Sequence, residues 1–276
     1  MRIVKLNNNN NHSWDARTYD KVSSNVQLEW GRNLLAKKRW NGNEIVMDAG
    51  AGSGNLTRIL ADKVPNGQVY AVDADANMIQ QAKSNLSGYK NVQVIHSSMD
   101  KVNLPTDTID VIFSNAALHW ILNHDAVFSQ FWQLLKPNGG SGGGGELLIE
   151  CGGGDDNLAG TLPVIFKIMQ YDQFKEYFAN WKQPWYFANP DETKRLLQKT
   201  GFKNIQVKLS NRTTSFSDLH SFAIFVKTVI MKPFLGYISD SIKKDEFLDA
   251  FLNEYKRSDH QAWSLDFTLL SIFARK

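Results

Sequence analysis

Three acidic residues follow apolar stretches of the sequence, each at a place where a strand is predicted to end. Asp48 lies in "IVMDAG", Asp73 closes "VYAVD" and Asp100 closes "HSSMD". An acid before a glycine turn suits a ligand with an ammonium group, and an acid at the second strand end can accept hydrogen bonds from both hydroxyls of a ribose. Asp100 could accept the exocyclic amine of adenine, with Met99 as an apolar wall. Ammonium, ribose and adenine on successive strand ends together describe S-adenosylmethionine.

The segment "MDAGAGSGN" places glycines at positions 50, 52 and 54 between a predicted strand and a predicted helix. Glycine lets the backbone turn tightly and approach a ligand closely, and the helix behind it offers free N–H groups. The dinucleotide fingerprint G-x-G-x-x-G needs its third glycine at position 55, where this chain has Asn55. The charge of Asp48 would also repel a pyrophosphate. A nicotinamide-dependent oxidoreductase is therefore disfavoured.

A second group of side chains that could do chemistry lies in "SNAALHWI", directly after the apolar stretch "DVIF". It contains Asn115, His119 and Trp120. His119 is either a satisfied structural histidine or the candidate catalytic residue, which would hydrogen-bond an acceptor molecule or act as a general base. Trp120 would either line the acceptor site or pack in the core. The residues alone leave these alternatives open.

Predicted strands and helices alternate from residue 44 to residue 152, which is typical of a parallel sheet covered on both faces. Two more strands are predicted later, in "NIQVKLSN" and in "SLDFTLLSIFARK". The predicted fold class is therefore α/β. It is a Rossmann-like, seven-stranded, mostly parallel sheet with helices on both faces and a helical lid inserted around the last strands.

One domain is predicted over residues 14–276, after a disordered lead-in at residues 1–13 that contains five consecutive asparagines. Lid segments are expected at about 153–188 and 215–258. The first of these holds an aromatic cluster, which would line a pocket or only pack the lid: Trp181, Trp185, Tyr186 and Phe187. A glycine-rich run from Ser141 to Gly145 is predicted to be a flexible turn, either natural or engineered.

The bulk properties limit the possible partners. The net charge is +3, from 31 basic and 28 acidic residues, so neither nucleic acid nor an acidic membrane is an expected partner. The single cysteine, Cys151, is expected to be a small core residue. No His/Cys/Asp group has the spacing of metal ligands, so no metal is expected. We expect a cytoplasmic protein, a monomer or a weak dimer, that acts on a small molecule.

The motifs resemble those of class I S-adenosylmethionine-dependent methyltransferases. "VMDAGAGSGNLT" is similar to the first motif of that family, "VYAVDADANMI" to the second, and "SSMD" to the adenine motif. The resemblance implies S-adenosylmethionine as cofactor and the seven-stranded sheet with a reversed last hairpin. It also implies the cofactor-binding residues, which are Asp48, Gly50, Ala51, Gly52, Asn55, Asp73, Ala74, Met78, Ser98, Met99, Asp100 and Asn115.

A narrower resemblance covers nearly the whole chain. "SNAALHWI" with "HDAVFSQFWQLLKPNGG", and later "FVKTVIMKPFL", are similar to the trans-aconitate methyltransferase group. "YDKVSSNVQLEWGRNLL" is similar to juvenile hormone acid methyltransferases. Both kinds methylate a carboxylate of a small molecule. The resemblance points to Gln27 and Trp120 at the substrate and puts Asn115 by the cofactor. Tyr19 and His119 complete the predicted substrate-binding residues.

The predicted function is methyl transfer to a small-molecule carboxylate, giving a methyl ester. An ionised carboxylate needs alignment and desolvation but no general base. An amine, hydroxyl or carbon acceptor is the first alternative, and there His119 would serve as base. The second alternative is a cofactor-binding regulator without turnover. Nucleic-acid methylation is disfavoured, because "SNAALHW" replaces the N-P-P-Y-like turn that such enzymes carry after the fourth strand.

Overall fold

A seven-stranded sheet forms the centre of the computed structural model, which describes residues 24–138, 144–257 and 263–276. The order across the sheet is β3-β2-β1-β4-β5-β7-β6, and only the pairs that include β7 are antiparallel within the described residues. The predicted α/β fold is confirmed. The strands are β1 (Ile45–Ala49), β2 (Gln68–Asp73), β3 (Val92–His96), β4 (Val111–Asn115), β5 (Glu146–Gly152), β6 (Lys203–Ser215) and β7 (Ser264–Arg275).

Nine α-helices belong to the described part of the chain, and a short π-helical segment (Val226–Ile230) follows one of them. Short 3₁₀ turns occur at Leu118–Trp120 and Lys175–Phe178. The α-helices are α1 (Ser24–Leu35), α2 (Asn55–Lys63), α3 (Ala76–Asn85), α4 (His124–Leu134), α5 (Leu162–Met169), α6 (Pro190–Thr200), α7 (Leu219–Phe225), α8 (Lys232–Leu235) and α9 (Ser241–Arg257).

Polar side chains and one glycine fix several helix ends. The carboxylate of Asp75 precedes α3 and accepts hydrogen bonds from the backbone N–H groups of Asn77 and Met78. This is the capping role that its sequence position predicts. Asn189 caps α6 in the same manner, and Gly201 ends that helix with φ at 110°.

The two largest hydrophobic clusters of the described residues lie in different parts of the molecule. The sheet cluster packs α4 and α6 against the strands, with Ile112, Phe128 and Phe131 fully buried. The lid cluster is richer in aromatic residues and joins both predicted lid segments through buried side chains such as Phe174 and Phe247. Burying each of these phenylalanines contributes about 2–3 kcal/mol.

The lid cluster is attached to the sheet through β7, whose Phe267 and Leu269 belong to it. Helices from residues 153–188 and 215–258 therefore pack with one another beside the carboxyl ends of the parallel strands. The predicted lead-in at 1–13, the candidate residue Tyr19 and Ser141 lie outside the described residues. Among the helices that are described, none has the length and apolarity needed to cross a bilayer.

Candidate active site

The glycine loop between β1 and α2 is held in a conformation that other residues rarely adopt. Gly50, Gly52 and Gly54 have φ angles of 83°, 56° and 88°. A Cβ atom added to Gly50 would lie 2.1 Å from the Cβ of Ala117, in the turn after β4. Glycine is therefore required at position 50 for a packing reason as well as a conformational one. This close approach sets the turn that carries His119 against the glycine loop.

Open space lies above Gly52, because a Cβ added there would meet nothing within 4 Å. The backbone N–H of Gly52 donates a 2.8 Å hydrogen bond to one carboxylate oxygen of Asp73, at the end of β2. The backbone N–H of Asp75 donates to the other oxygen, also at 2.8 Å. The backbone N–H of Ala74 is a third donor to this carboxylate. A carboxylate has about four acceptor sites, so Asp73 keeps capacity for a hydrogen bond from a ligand over Gly52.

Asp48 is almost completely buried at the inner end of the same loop, with 2% of its surface exposed. The hydroxyl of Thr57 on α2 donates to its carboxylate at 2.7 Å. Burial raises the pKa of Asp48 to about 7, although the hydrogen bond from Thr57 acts in the opposite direction. A buried acid of this kind gains from a positively charged partner, which would stabilise its ionised form.

The turn after β3 forms the third part of this edge. Ser98 donates a short hydrogen bond to the carboxylate of Asp100, and the Met99 side chain is buried with its methyl group 3.5 Å from the position of a Cβ on Gly50. The backbone carbonyl oxygen of Ala74 lies 3.0 Å from Nε2 of His96, and the Met78 side chain is buried on α3. The structure thus brings the predicted acids and their neighbours to one edge of the sheet.

Lys232, the first residue of α8, connects the lid to this edge. Burial lowers the pKa of its ammonium group to about 7, whereas the charges of Asp75 and Asp73 act to raise it. For those carboxylates to act on Lys232, the start of α8 must lie near the end of β2 and the start of α3. The lid therefore reaches the same end of the sheet as the glycine loop.

A cavity of about 100 Å³ lies next to the glycine loop, between α1, the ends of β4, β5 and β7, and the lid. None of its described lining residues is a lysine or an arginine. Aromatic side chains dominate its wall: Trp30, Trp120, Trp185, Phe187 and Phe267. The polar lining residues are Gln27, Asn115, His119, Glu150 and Asn157.

His119 is the polar side chain whose protonation the structure defines most clearly. The backbone N–H of Gly152 donates a 3.2 Å hydrogen bond to its Nδ1. Burial, with a smaller contribution from His124, lowers the pKa of His119 to about 3. The ring is therefore neutral at pH 7, and because Nδ1 accepts a proton donor, its own proton resides on Nε2.

The other predicted acceptor-site residues also lie at this cavity. The amide nitrogen of Asn115 donates to the backbone carbonyl of Gln27 at 3.1 Å, which ties β4 to α1. The Trp120 ring is 36% exposed at the rim and packs edge-to-face on Trp185. The predicted aromatic cluster divides here, since Trp185 and Phe187 line the cavity whereas Trp181 and Tyr186 are not among its lining residues.

Glu150 is a lining residue that the sequence analysis did not select. It lies in the apolar stretch "LLIECG", which indicates only a buried strand. A charged residue inside such a stretch is itself unusual, because ionised side chains are rarely buried without a partner. That signal could have marked Glu150 for attention. Among the described residues, no cluster of His, Cys, Asp or Glu could hold a metal ion.

Comparisons with known proteins find methyltransferases. Residues 46–139 match the family described as "Methyltransferase domain". An uncharacterized methyltransferase of Schizosaccharomyces pombe is 27% identical over 206 residues, which cover 73% of this chain and 75% of the relative. A trans-aconitate 2-methyltransferase of Acidovorax ebreus is 30% identical over 128 residues, which cover 46% of this chain and 48% of that protein. The chain thus aligns with only about half the length of the Acidovorax enzyme.

The fold is also found in a solved methyltransferase structure. Haemonchus contortus phosphoethanolamine N-methyltransferase 2, in complex with phosphomonomethylethanolamine and S-adenosylhomocysteine, matches 95% of this chain and 56% of its own. The TM-score is 0.60 and the sequence identity is 19%, so this likeness concerns the fold. The family match and the methyltransferase relatives support a class I S-adenosylmethionine-dependent methyltransferase, and the fold agrees with that assignment.

Proposed function

We propose that this S-adenosylmethionine-dependent methyltransferase acts on the carboxylate of a small, largely apolar molecule and produces a methyl ester. The observation that carries the proposal is the state of His119. Its Nδ1 is occupied by the amide of Gly152 and its Nε2 carries the proton. The ring can therefore donate a hydrogen bond to an acceptor oxygen, but it is poorly suited to remove a proton.

This assignment fits the chemistry of methyl transfer. S-adenosylmethionine supplies a methyl group on a positively charged sulfur. A carboxylic acid with a pKa of about 4 is already ionised at neutral pH, so no residue has to deprotonate it. The enzyme has to align the carboxylate, remove water from it and exclude competing solvent. A neutral histidine donor in an aromatic cavity can do all three.

On the cofactor side, the proposal follows the residues of the glycine-loop edge. Asp48 would hold the ammonium group, the carboxylate of Asp73 the ribose hydroxyls, and Asp100 with Met99 the adenine. The open space over Gly52 and the remaining acceptor capacity of Asp73 support this arrangement. The neighbouring contacts would come from Gly50, Ala51, Asn55, Ala74, Met78, Ser98 and Asn115.

On the acceptor side, we propose that His119 donates to the carboxylate while Gln27 and Trp120 line its path. The aromatic wall favours an apolar body, since burial of apolar surface contributes about 25 cal/mol per Å². The name of the Acidovorax relative indicates trans-aconitate, which carries three carboxylates. A cavity whose described lining includes no lysine or arginine is a poor receptor for three negative charges. An apolar monocarboxylate is therefore the expected acceptor.

A labelled-methyl assay tests the proposal. The protein is incubated with methyl-labelled cofactor and, separately, with apolar monocarboxylic acids, trans-aconitate and apolar primary amines. We expect the label in products of the monocarboxylic acids, and we expect mild base to release it as methanol. We also expect trans-aconitate to accept less label than the apolar acids.

Three outcomes would overturn parts of this account. A labelled product that is stable to mild base would show an amine, hydroxyl or carbon acceptor. Cofactor binding without transfer to any acid or amine would indicate a regulator. Trans-aconitate as the preferred acceptor would contradict the apolar acceptor and would require cations that the described cavity wall does not supply.

A further inference from the structure

Glu150 occupies an unusual position in the wall of the acceptor cavity. It lies on β5, two residues before Gly152, whose amide binds His119. Only 2% of its surface is exposed, and it is the single acid among the described residues that line the cavity. A buried carboxylate normally fills its hydrogen-bonding positions within the protein.

One oxygen of Glu150 is well satisfied. Its Oε2 accepts hydrogen bonds from the hydroxyl of Ser271 at 2.9 Å and from Nη2 of Arg212 at 3.3 Å. The ammonium of Lys37 lies 3.6 Å from the same oxygen. These contacts join β5 to the turn after α1, to β6 and to β7.

The other oxygen, Oε1, has an ionic partner but no aligned hydrogen bond. Nη2 of Arg212 lies 3.1 Å from Oε1, but no group in the described part of the chain donates an aligned hydrogen bond to it. A buried acceptor atom without an aligned donor is less stable than one that accepts a hydrogen bond. A ligand that brings a donor into the cavity would supply that hydrogen bond.

The charge of Glu150 is already balanced. Arg212 is ion-paired with Glu150, and Lys37 adds a second positive charge nearby. Arg212 also lies over the Trp30 ring, with 5.6 Å between its guanidinium carbon and the ring centre. The carboxylate therefore does not require a cation from the ligand. A neutral hydroxyl matches the open position better than an ammonium group, which would add a third positive charge.

We infer that Glu150 is a specificity residue that accepts a hydrogen bond from a hydroxyl group on the methyl acceptor. The inference rests on the proposed function, because it places the acceptor's carboxylate at His119. Two residues of extended strand, roughly 7 Å, separate Glu150 from Gly152, beside which His119 lies. The hydroxyl therefore belongs several bonds away from the carboxylate and not on the adjacent carbon.

The first experiment uses the unmodified enzyme. Ester formation is measured for a saturated monocarboxylic acid and for its derivatives with a hydroxyl next to the carboxylate, with a hydroxyl farther along the chain, or with an amine at that distal place. We expect the distal hydroxyl to raise kcat/KM roughly tenfold over the unsubstituted acid, mainly through KM. The adjacent hydroxyl and the distal amine should not match this gain.

Variants then connect the preference to Glu150. Glu150→Met keeps the size of the side chain without its oxygens, so the ratio of kcat/KM for the distal hydroxy acid to that for the unsubstituted acid should fall about tenfold. Glu150→Gln keeps one carbonyl oxygen and should retain part of the preference, which is useful if the Met variant does not fold. Ser271→Ala removes a hydrogen bond to Oε2 only and should leave the ratio unchanged.

The outcomes separate this inference from the proposed function. Equal kcat/KM values for the hydroxylated and unsubstituted acids, with base-labile esters from both, would overturn the role of Glu150 and leave the proposed function standing. A ratio unaffected by Glu150→Gln and Glu150→Met would do the same. Failure to form an ester from any of the acids would contradict the proposed function itself.

Discussion

The glycine-loop edge and the acceptor cavity are neighbours in space, yet they are built in different ways. The edge comes from three consecutive strand ends, and its acids lie within 53 residues of sequence, from Asp48 to Asp100. The cavity draws on α1, the turn after β4, the end of β5, the lid and β7, so its lining runs from Gln27 to Leu269. The edge is polar, whereas the cavity wall is mostly aromatic and aliphatic.

The two regions are shaped by different physical features. Local backbone geometry shapes the edge, because positive φ angles and helix N-termini follow directly from the glycine segment. Long-range packing shapes the cavity, because its walls come from segments far apart in the sequence that the lid cluster joins to β7. Changes in one region should therefore leave the other largely intact, except where the two regions touch.

A substitution at the contact between the two regions should lower activity the most. Gly50→Ala would bring a Cβ to 2.1 Å from that of Ala117, at a φ of 83°. The clash would displace the glycine loop and the His119 turn together. We expect kcat/KM to fall at least about 100-fold, because a shift of about 1 Å can have that effect, and stability to fall by about 1–3 kcal/mol.

Steady-state kinetics and thermal unfolding measure both effects of this substitution. Gly88→Ala is the matched control, since a Cβ at position 88 meets nothing within 4 Å. It should behave like the unmodified protein. A Gly50→Ala enzyme with normal binding of both cofactor and acceptor would contradict the described contact between the two regions.

A change at Asp48 should affect the edge alone. Asp48→Asn removes the charge proposed to hold the ammonium group, so cofactor affinity should fall roughly 30-fold, equivalent to about 2 kcal/mol. Isothermal titration calorimetry with cofactor measures the loss. Asp62→Asn, an exposed position on α2, is the control and should bind normally.

The same substitution should have an opposite effect on stability without cofactor. Burial raises the pKa of Asp48 to about 7, above its value of about 4 in an unfolded chain. The folded state therefore binds this proton more tightly, and the free energy of unfolding falls as pH rises from about 4 to about 7. Asp48→Asn should unfold at a higher temperature than the unmodified protein at pH 8, with a smaller difference at pH 5. If the two proteins unfold at the same temperature at both pH values, the pKa of Asp48 is not raised in the folded state.

A change at His119 should affect the cavity alone. His119→Phe removes the donor proposed for the acceptor carboxylate, so kcat/KM for the acid should fall about tenfold while cofactor affinity stays unchanged. His119→Gln retains an N–H donor and should recover part of the activity. Loss of cofactor binding in both variants would contradict the claim that His119 serves the acceptor cavity and not the glycine-loop edge.

The smallest effect is expected at the cavity rim. Trp120→Ala removes a half-exposed aromatic wall, so KM for the acceptor should rise about fivefold, equivalent to about 1 kcal/mol. Leu122 is 62% exposed and does not line the cavity, which makes Leu122→Ala the matched control. Equal KM values for the two variants would place Trp120 outside the acceptor path.

The same contrast explains what the sequence could predict. The sheet, the cap at Asp75 and the helix end at Gly201 follow from short patterns, because each depends on a few consecutive residues. The acids at 48, 73 and 100 were identifiable because parallel strands bring their carboxyl ends to one edge.

The cavity wall was less accessible to prediction. Glu150 lies inside an apolar stretch, and its role depends on Arg212 and Ser271, which reach it through the antiparallel pairing of β5, β6 and β7. Val229 and Ile230 line the cavity from a π-helical segment, whose position no local pattern indicated. The position of the proton on His119 depends on a hydrogen bond from the backbone N–H of Gly152, 33 residues away, which no local pattern indicates.

The pH dependence of kcat/KM for a carboxylic acid acceptor, at saturating cofactor, tests the central claim most directly. Saturation removes the contribution of Asp48 to cofactor binding. We predict a flat profile from about pH 6 to about pH 8.5, because the acceptor is ionised and His119 is neutral throughout. The contrary result is a kcat/KM that rises with pH as one group with an apparent pKa near 6.5 loses its proton. If that rise is present in the unmodified enzyme and absent in His119→Gln, it would show that His119 acts as a base and would contradict the account.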